Sequence, residues 1–159
     1  MKNEPQTIFQ PDPRPLKLTF LVLSGSSIMC VASAIDPLRA ANRIAGGKPF
    51  DWTIVSVNGE AAQTTAGLPV AVEGRFDPAA NADAVVVIGG FGTRLQAGST
   101  AIAALRRAAG SARAIGGVEA GTWLLGRAGL LDGRAATTHW EDLEDFAAAF
   151  PECDVRPDR

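Results

Sequence analysis

The stretch Ala114-Ile115-Gly116-Gly117-Val118-Glu119-Ala120-Gly121-Thr122-Trp123-Leu124-Leu125 carries the most informative chemistry of the chain. An apolar strand runs into small residues, turns at Glu119 and leaves at once as an apolar helix. That is the layout of a nucleophile elbow, which holds one side chain at a strained corner above a sheet. The corner residue is a carboxylate, where a hydrolase would carry Ser or Cys. Three roles are open to Glu119. A general base needs a raised pKa and a substrate proton within reach. A binding group accepts hydrogen bonds from a cationic or amine-bearing ligand. A structural carboxylate satisfies backbone donors at the helix start, where the dipole favours negative charge. Nucleophilic attack is the least favoured, because a carboxylate is a poor acyl-transfer nucleophile without an arranged acid partner.

Around this corner the sequence offers few other reactive groups. Gly89-Gly90 follows an apolar run and can present backbone N–H groups as an oxyanion or carboxylate seat, or simply form a tight strand exit. His139, the one histidine, pairs naturally with Glu119 if the two meet; otherwise backbone groups hold it at a helix start. Trp140 and Trp123 suit either the walls of a quaternary-ammonium site or the core, and Trp52 is most simply strand packing. The ligand-binding candidates are therefore Glu119, Ala120, Gly89, Gly90, Ser26, His139 and Trp140. No residue is assigned a catalytic role. Gly89-Gly90-Phe91-Gly92-Thr93 lacks both G-x-G-x-x-G and a G-K-[ST] ending, so no nucleotide cofactor is expected. No metal-ligand cluster is present in the sequence either.

The elements that must hold these residues alternate between strand and helix. Leu16 to Leu23 is an almost continuous apolar run, as a strand covered on both faces requires. Ser24 to Ser27 supplies hydroxyl groups for a helix cap, and Ile28, Val31, Ala32, Ile35 and Leu38 follow at helical spacing. Pro37 should kink that helix or divide it near Asp36, and Gly46-Gly47 ends it. A strand is expected over Asp51 to Val57, a hairpin excursion over Thr64 to Val72, and a buried strand over Ala84 to Ile88. A helix over Thr100 to Ala109 precedes the elbow, whose helix runs to Arg127. Beyond it come a short strand over Arg134 to Thr138, a helix over Trp140 to Phe150, and a strand beginning at Cys153. This is an α/β fold: a doubly wound, mostly parallel, flavodoxin-like sheet with helices on both faces. In such sheets ligands bind beyond the carboxyl ends of the strands. Ser24 to Ser27, Gly89 to Thr93 and Val118 to Thr122 reach that edge together.

Composition narrows the class further. The 159 residues suit one domain, with 47% hydrophobic and 20% charged residues. A formal charge of −2 and scattered arginines give no general attraction to nucleic acid or to anionic membrane. The two cysteines, Cys30 and Cys153, stand far apart and read as reduced thiols of a cytoplasmic protein. Residues 1–15 contain four prolines and no apolar core, so they read as a flexible arm rather than a signal peptide. No apolar stretch reaches the ~20 residues of a membrane span. Stopping as a strand begins suggests a longer natural polypeptide.

Three motifs carry a family resemblance. Ala34-Ile35-Asp36-Pro37-Leu38-Arg39-Ala40-Ala41-Asn42-Arg43, Val87-Ile88-Gly89-Gly90 and Ala128 to Glu141 (AGLLDGRAATTHWE) resemble AraC-type transcription regulators. These regulators carry an N-terminal class I glutamine-amidotransferase-like domain of the ThiJ/PfpI superfamily. The resemblance covers residues 16–159. It implies an effector-sensing domain, lacking its last elements, that binds a small metabolite such as an amino acid or quaternary amine. It also implies a homodimer, and DNA read only through a helix-turn-helix domain absent from this chain. The superfamily's elbow cysteine falls on Glu119 and its acid after the first strand near Cys30, while His139 keeps the family histidine's place. Those departures imply binding rather than catalysis. The alternative is a ThiJ/PfpI-type hydrolase, lyase or amidase using Glu119 and His139.

Overall fold

The computed structural model describes residues 13–96 and 98–157. Five parallel strands form the central sheet: β1 (Leu16–Val22), β2 (Phe50–Ser56), β5 (Gly74–Arg75), β6 (Ala84–Ile88) and β7 (Ala114–Val118). Their order across the sheet is β5-β2-β1-β6-β7, so the chain works outward in both directions from β1. Alternation along β1 assigns the two faces. Phe20 and Val22 pack with Val31 and Ile88 under helix α1 (Ile28–Ala45), whereas Leu21 and Leu23 join Val85 and Val87 beneath two further helices. Those are α3 (Ser99–Ala109), which contributes Ala101, Ala104, Leu105 and Ala108, and α4 (Thr122–Arg127), which contributes Leu124 and Leu125. The doubly wound sheet expected from the sequence is the one observed.

Local chemistry sets the ends of α1. The Ser27 hydroxyl accepts the Met29 N–H at 3.2 Å, and Gly46 closes the helix in the left-handed region at φ 63°. Of the two outcomes expected at Pro37, a kink or a division, the division does not occur: one helix runs from Ile28 to Ala45. Proline there leaves the Ser33 carbonyl without its usual donor. The apolar stripe of Val31, Ala34, Ile35 and Leu38 is held against the sheet on both sides of that gap, so packing keeps the helix whole.

Smaller elements complete the chain. A hairpin forms as expected but begins before Thr64: β3 (Ala62–Gln63) pairs antiparallel with β4 (Pro69–Val70). Two elements went unseen in the sequence: the edge strand β5, and α2 (Thr93–Gln96), a single turn after Gly92. Past the elbow, β8 (Ala135–Ala136) pairs in parallel with β9 (Asp154–Val155) in a separate sheet. Between them lie a 3-10 turn over Trp140–Asp142 and helix α5 (Leu143–Ala149). Phe146 of α5 and Phe150 stack edge-on against Trp123, with ring centroids 5.1 and 5.5 Å away, so Trp123 is core and not a site wall. Among the described residues no helix is long and apolar enough to cross a membrane.

Most of the expected mobile arm, residues 1–12, lies outside the described residues. Its last part is anchored. Arg14 donates two hydrogen bonds, of 2.8 and 2.6 Å, to Asp83, which is only 6% exposed. The Lys17 N–H adds a third at 2.9 Å. The bound Arg14 guanidinium holds the Asp83 carboxyl well below the usual carboxylate range, at about 2 against 3.8. A lowered pKa stabilises the fold above pH ~3.8, and that contribution is lost as pH falls through about 2. Asp83→Asn should therefore cost at most about 2 kcal/mol at neutral pH, since Arg14 is half exposed and screened by solvent. Urea midpoints of the two proteins should converge between pH 4 and 2, and a constant gap across that range would refute the assignment.

Candidate functional site

The elbow forms because two stretches of backbone lie almost in contact. A Cβ on Gly121 would sit 2.1 Å from the Val87 carbonyl oxygen, and one on Gly89 would sit 2.4 Å from the Gly121 nitrogen. Only glycine at both places lets the 3-10 turn over Glu119–Gly121 press against the end of β6. That approach forces the chain to reverse sharply after Val118. Glu119 absorbs the reversal at φ 57°, the single positive φ of a non-glycine among the described residues. Left-handed backbone costs such a residue roughly 1–2 kcal/mol, and strain of this kind gathers at functional sites.

The strained corner faces a cavity of about 400 Å³ at the carboxyl edge of the sheet. Of the candidates singled out in the sequence, Glu119, Ala120, His139 and Gly90 line it. Glu119 Oε1 approaches His139 Nε2 to 3.9 Å, and Glu141 Oε2 lies 3.8 Å from His139 Nδ1. The imidazole thus sits between two carboxylates, within ion-pair range but beyond hydrogen-bond distance. The anticipated His139–Glu119 meeting takes place, without the direct hydrogen bond.

Three further candidates, Gly89, Ser26 and Trp140, lie outside the cavity lining, and the Gly90 donor is already taken. Gly89 does not line the cavity, and its N–H donates to the Val118 carbonyl at 3.3 Å. The Gly90 N–H donates to Thr93 Oγ1 at 2.9 Å, so neither glycine offers a free donor to a ligand. Ser26 is fully buried and donates to the carbonyls of Leu23 and Ile88, which clamps β1 to β6 away from the cavity. Trp140 is 72% exposed and outside the cavity lining, its ring tilted 5.8 Å from that of His139. Cys30, in the first turn of α1, is half-buried and also stands apart from the cavity lining.

Phe91, Gly92 and Thr93, from a segment placed at this edge by the sequence, also line the cavity, and the structure adds three residues that sequence reasoning missed: Arg94, Glu141 and Asp142. Arg94 was legible in principle, as a cation directly after the Gly-rich strand exit. It lies over the Trp123 ring, 4.3 Å from the centroid, and is ion-paired to Asp145 at 2.6 Å. Asp142 accepts the Trp123 indole N–H at 2.8 Å. With Arg94 matched by Asp145, the remaining charge around the cavity is negative. Such a field favours a cation.

The donors tell what the corner can do. In a working elbow the N–H after the nucleophile helps form the oxyanion hole. Here the Ala120 N–H is bound by Glu119 itself, at 2.7 Å from Oε2. Its carboxylate therefore occupies the place where a developing oxyanion would need support. The Gly89 and Gly90 donors are also spent, so none of these three N–H groups is left for an oxyanion.

Comparison with known proteins agrees with this architecture. The DJ-1/PfpI family model matches residues 18–152. The chain belongs to the DJ-1/PfpI family. Among curated proteins it is 35% identical over 137 residues to the HTH-type transcriptional regulator GbdR of Pseudomonas aeruginosa, covering 86% of this chain and 37% of that one. It is 34% identical to the HTH-type transcriptional regulator CdhR of the same species, covering 86% of this chain and 40% of the relative. The chain thus spans about two fifths of the length of these relatives. A crystal structure of an AraC family transcriptional regulator from Pseudomonas putida superposes with a TM-score of 0.81 at 29% identity, covering 90% of this chain and 77% of that one.

Two outcomes follow from the elbow. Glu119→Gly should be more stable than Glu119→Ala by about 1 kcal/mol, because glycine adopts φ 57° without a Cβ penalty; equal melting temperatures would show that the corner is unstrained. Gly121→Ala should cost about 1–3 kcal/mol or more, because the obstruction is backbone and cannot rotate away. Denaturant unfolding measures this, and a neutral result would mean that the close approach is not needed.

Proposed function

We propose that this chain is the effector-sensing domain of an AraC-type transcription regulator, binding a small metabolite at Glu119 without turning it over. One observation carries the reading: the elbow side chain is a carboxylate that holds the adjoining Ala120 N–H, where an enzyme would present a nucleophile and a free donor. The resemblance to helix-turn-helix regulators supports a regulatory role. The carboxylates of Glu119, Glu141 and Asp142 around the cavity favour a cationic head, which fits an amino acid or a quaternary amine. In the full polypeptide the domain would form a homodimer and reach DNA through a separate helix-turn-helix unit.

Calorimetric titration with amino acids, glycine betaine and carnitine tests the proposal. One of these classes should bind saturably, and Glu119→Gln should weaken it about tenfold, the loss expected for one charge-assisted contact. Absence of binding by all of them at millimolar concentration would overturn it. The approach of His139 to Glu119 at 3.9 Å supports a second reading, a small-molecule enzyme with this pair as its acid and base. That reading requires turnover that disappears in both Glu119→Gln and His139→Ala.

A further inference from the structure

A second hollow, of about 200 Å³, opens between α3 and strands β1 and β5, and shares no lining residue with the Glu119 cavity. Its floor is apolar. Leu21, Phe76, Ala101 and Ala104 are buried there, and Val57 and Pro78 are half-buried beside them. Its mouth is cationic. Arg75 on β5 and Arg107 on α3 are both exposed and both line the opening, with Thr100 next to them. Arg14, Arg39, Arg94 and Arg156 each meet a carboxylate in an ion pair. Among the described residues neither Arg75 nor Arg107 has such a partner. The nearest acids in sequence, Glu73 and Asp77, are not among the lining residues; Glu73 Oε1 accepts the Ile54 N–H at 3.1 Å and Asp77 Oδ1 the Ala79 N–H at 2.9 Å.

Two like charges sharing one opening repel each other, and an apolar floor gives neither of them an acceptor. An anion at the mouth removes the repulsion, and the planar guanidinium fork suits a carboxylate. Thr100, on the first turn of α3, adds a hydroxyl donor at the opening. The apolar floor then selects among anions, since inorganic phosphate would leave it wet. Size selects again, because a hollow below the ~300 Å³ typical of ligand sites admits only a short chain.

We propose that this hollow is a second ligand site, for a small organic carboxylate with a short aliphatic tail. The carboxylate lies between Arg75 and Arg107 within reach of the Thr100 hydroxyl, and the tail covers Leu21, Phe76 and Ala104. The site is independent of the function proposed above, because it uses none of the same residues.

Titration of the 159-residue chain with hexanoate, hexanamide and inorganic phosphate tests the assignment. Hexanoate should bind saturably, and hexanamide and phosphate each about tenfold or more weakly, by the strength of a charge-assisted contact or the burial of a few methylenes. Arg75→Gln and Arg107→Gln, both surface changes that spare the core, should each weaken hexanoate about tenfold. Glu119→Gln should leave it unchanged. No saturable hexanoate binding at millimolar concentration would overturn the proposal. So would phosphate binding as tightly as hexanoate, or hexanoate affinity indifferent to both arginine changes. None of these results bears on the Glu119 cavity, whose own titration stands or falls separately.

Discussion

The near-contact of two backbone segments, the end of β6 at Gly89 and the elbow turn at Gly121, is the constraint from which the site follows. Closing that gap demands glycine on both sides and a reversal after Val118 sharp enough to push Glu119 to φ 57°. The side chain is then delivered to the cavity with little freedom, and its carboxylate takes up the nearest backbone donor. A surface carboxylate on a relaxed loop would spend much of its time in water. Strain borne by one residue is offset by the core between the sheet and its helices, where Leu21, Val87, Leu105 and Leu124 are almost wholly excluded from solvent.

The same constraint sets which groups at the corner are already bound, and the proposed binding role rests on that. Catalysis of acyl transfer depends on donors kept free for a charge that exists only in the transition state. Each backbone donor expected at this corner is bound in the ground state: Gly89 by Val118, Gly90 by Thr93, and Ala120 by Glu119. A carboxylate already satisfied on one oxygen still has the other, Oε1, directed toward His139. That leaves an acceptor on a rigid mount. Around it Glu141 and Asp142 supply further negative charge, and Arg94 is matched by Asp145.

Much of the scaffold was legible because its signals are local. The run from Leu16 to Leu23 reads as a buried strand, the hydroxyls of Ser24 to Ser27 as a helix cap, and Gly46-Gly47 as a helix end; the structure narrows the last two to Ser27 and Gly46. Errors arose where packing outweighs local preference. Pro37 breaks an isolated helix, yet Val31, Ile35 and Leu38 hold this one against the sheet. Strand β5 and the single turn α2 are too short to carry any periodicity. Ser26 and Gly89 lie at the correct edge in sequence, but their polar groups are consumed in joining strands.

The amino-acid order alone determined the alternation of strand and helix, the corner at Glu119 and the carboxylate it presents, because hydrophobic period, glycine placement and residue identity are written locally. Tertiary structure decided which groups meet. Glu141, Asp142 and Arg94 come from segments distant along the chain and reach the cavity only when α2, the elbow and the turn before α5 pack together. It also decided which donors remain free, since that depends on partners brought in from elsewhere. Hydrogen bonds saturate, and no reading of a single segment reveals whether its N–H is already taken.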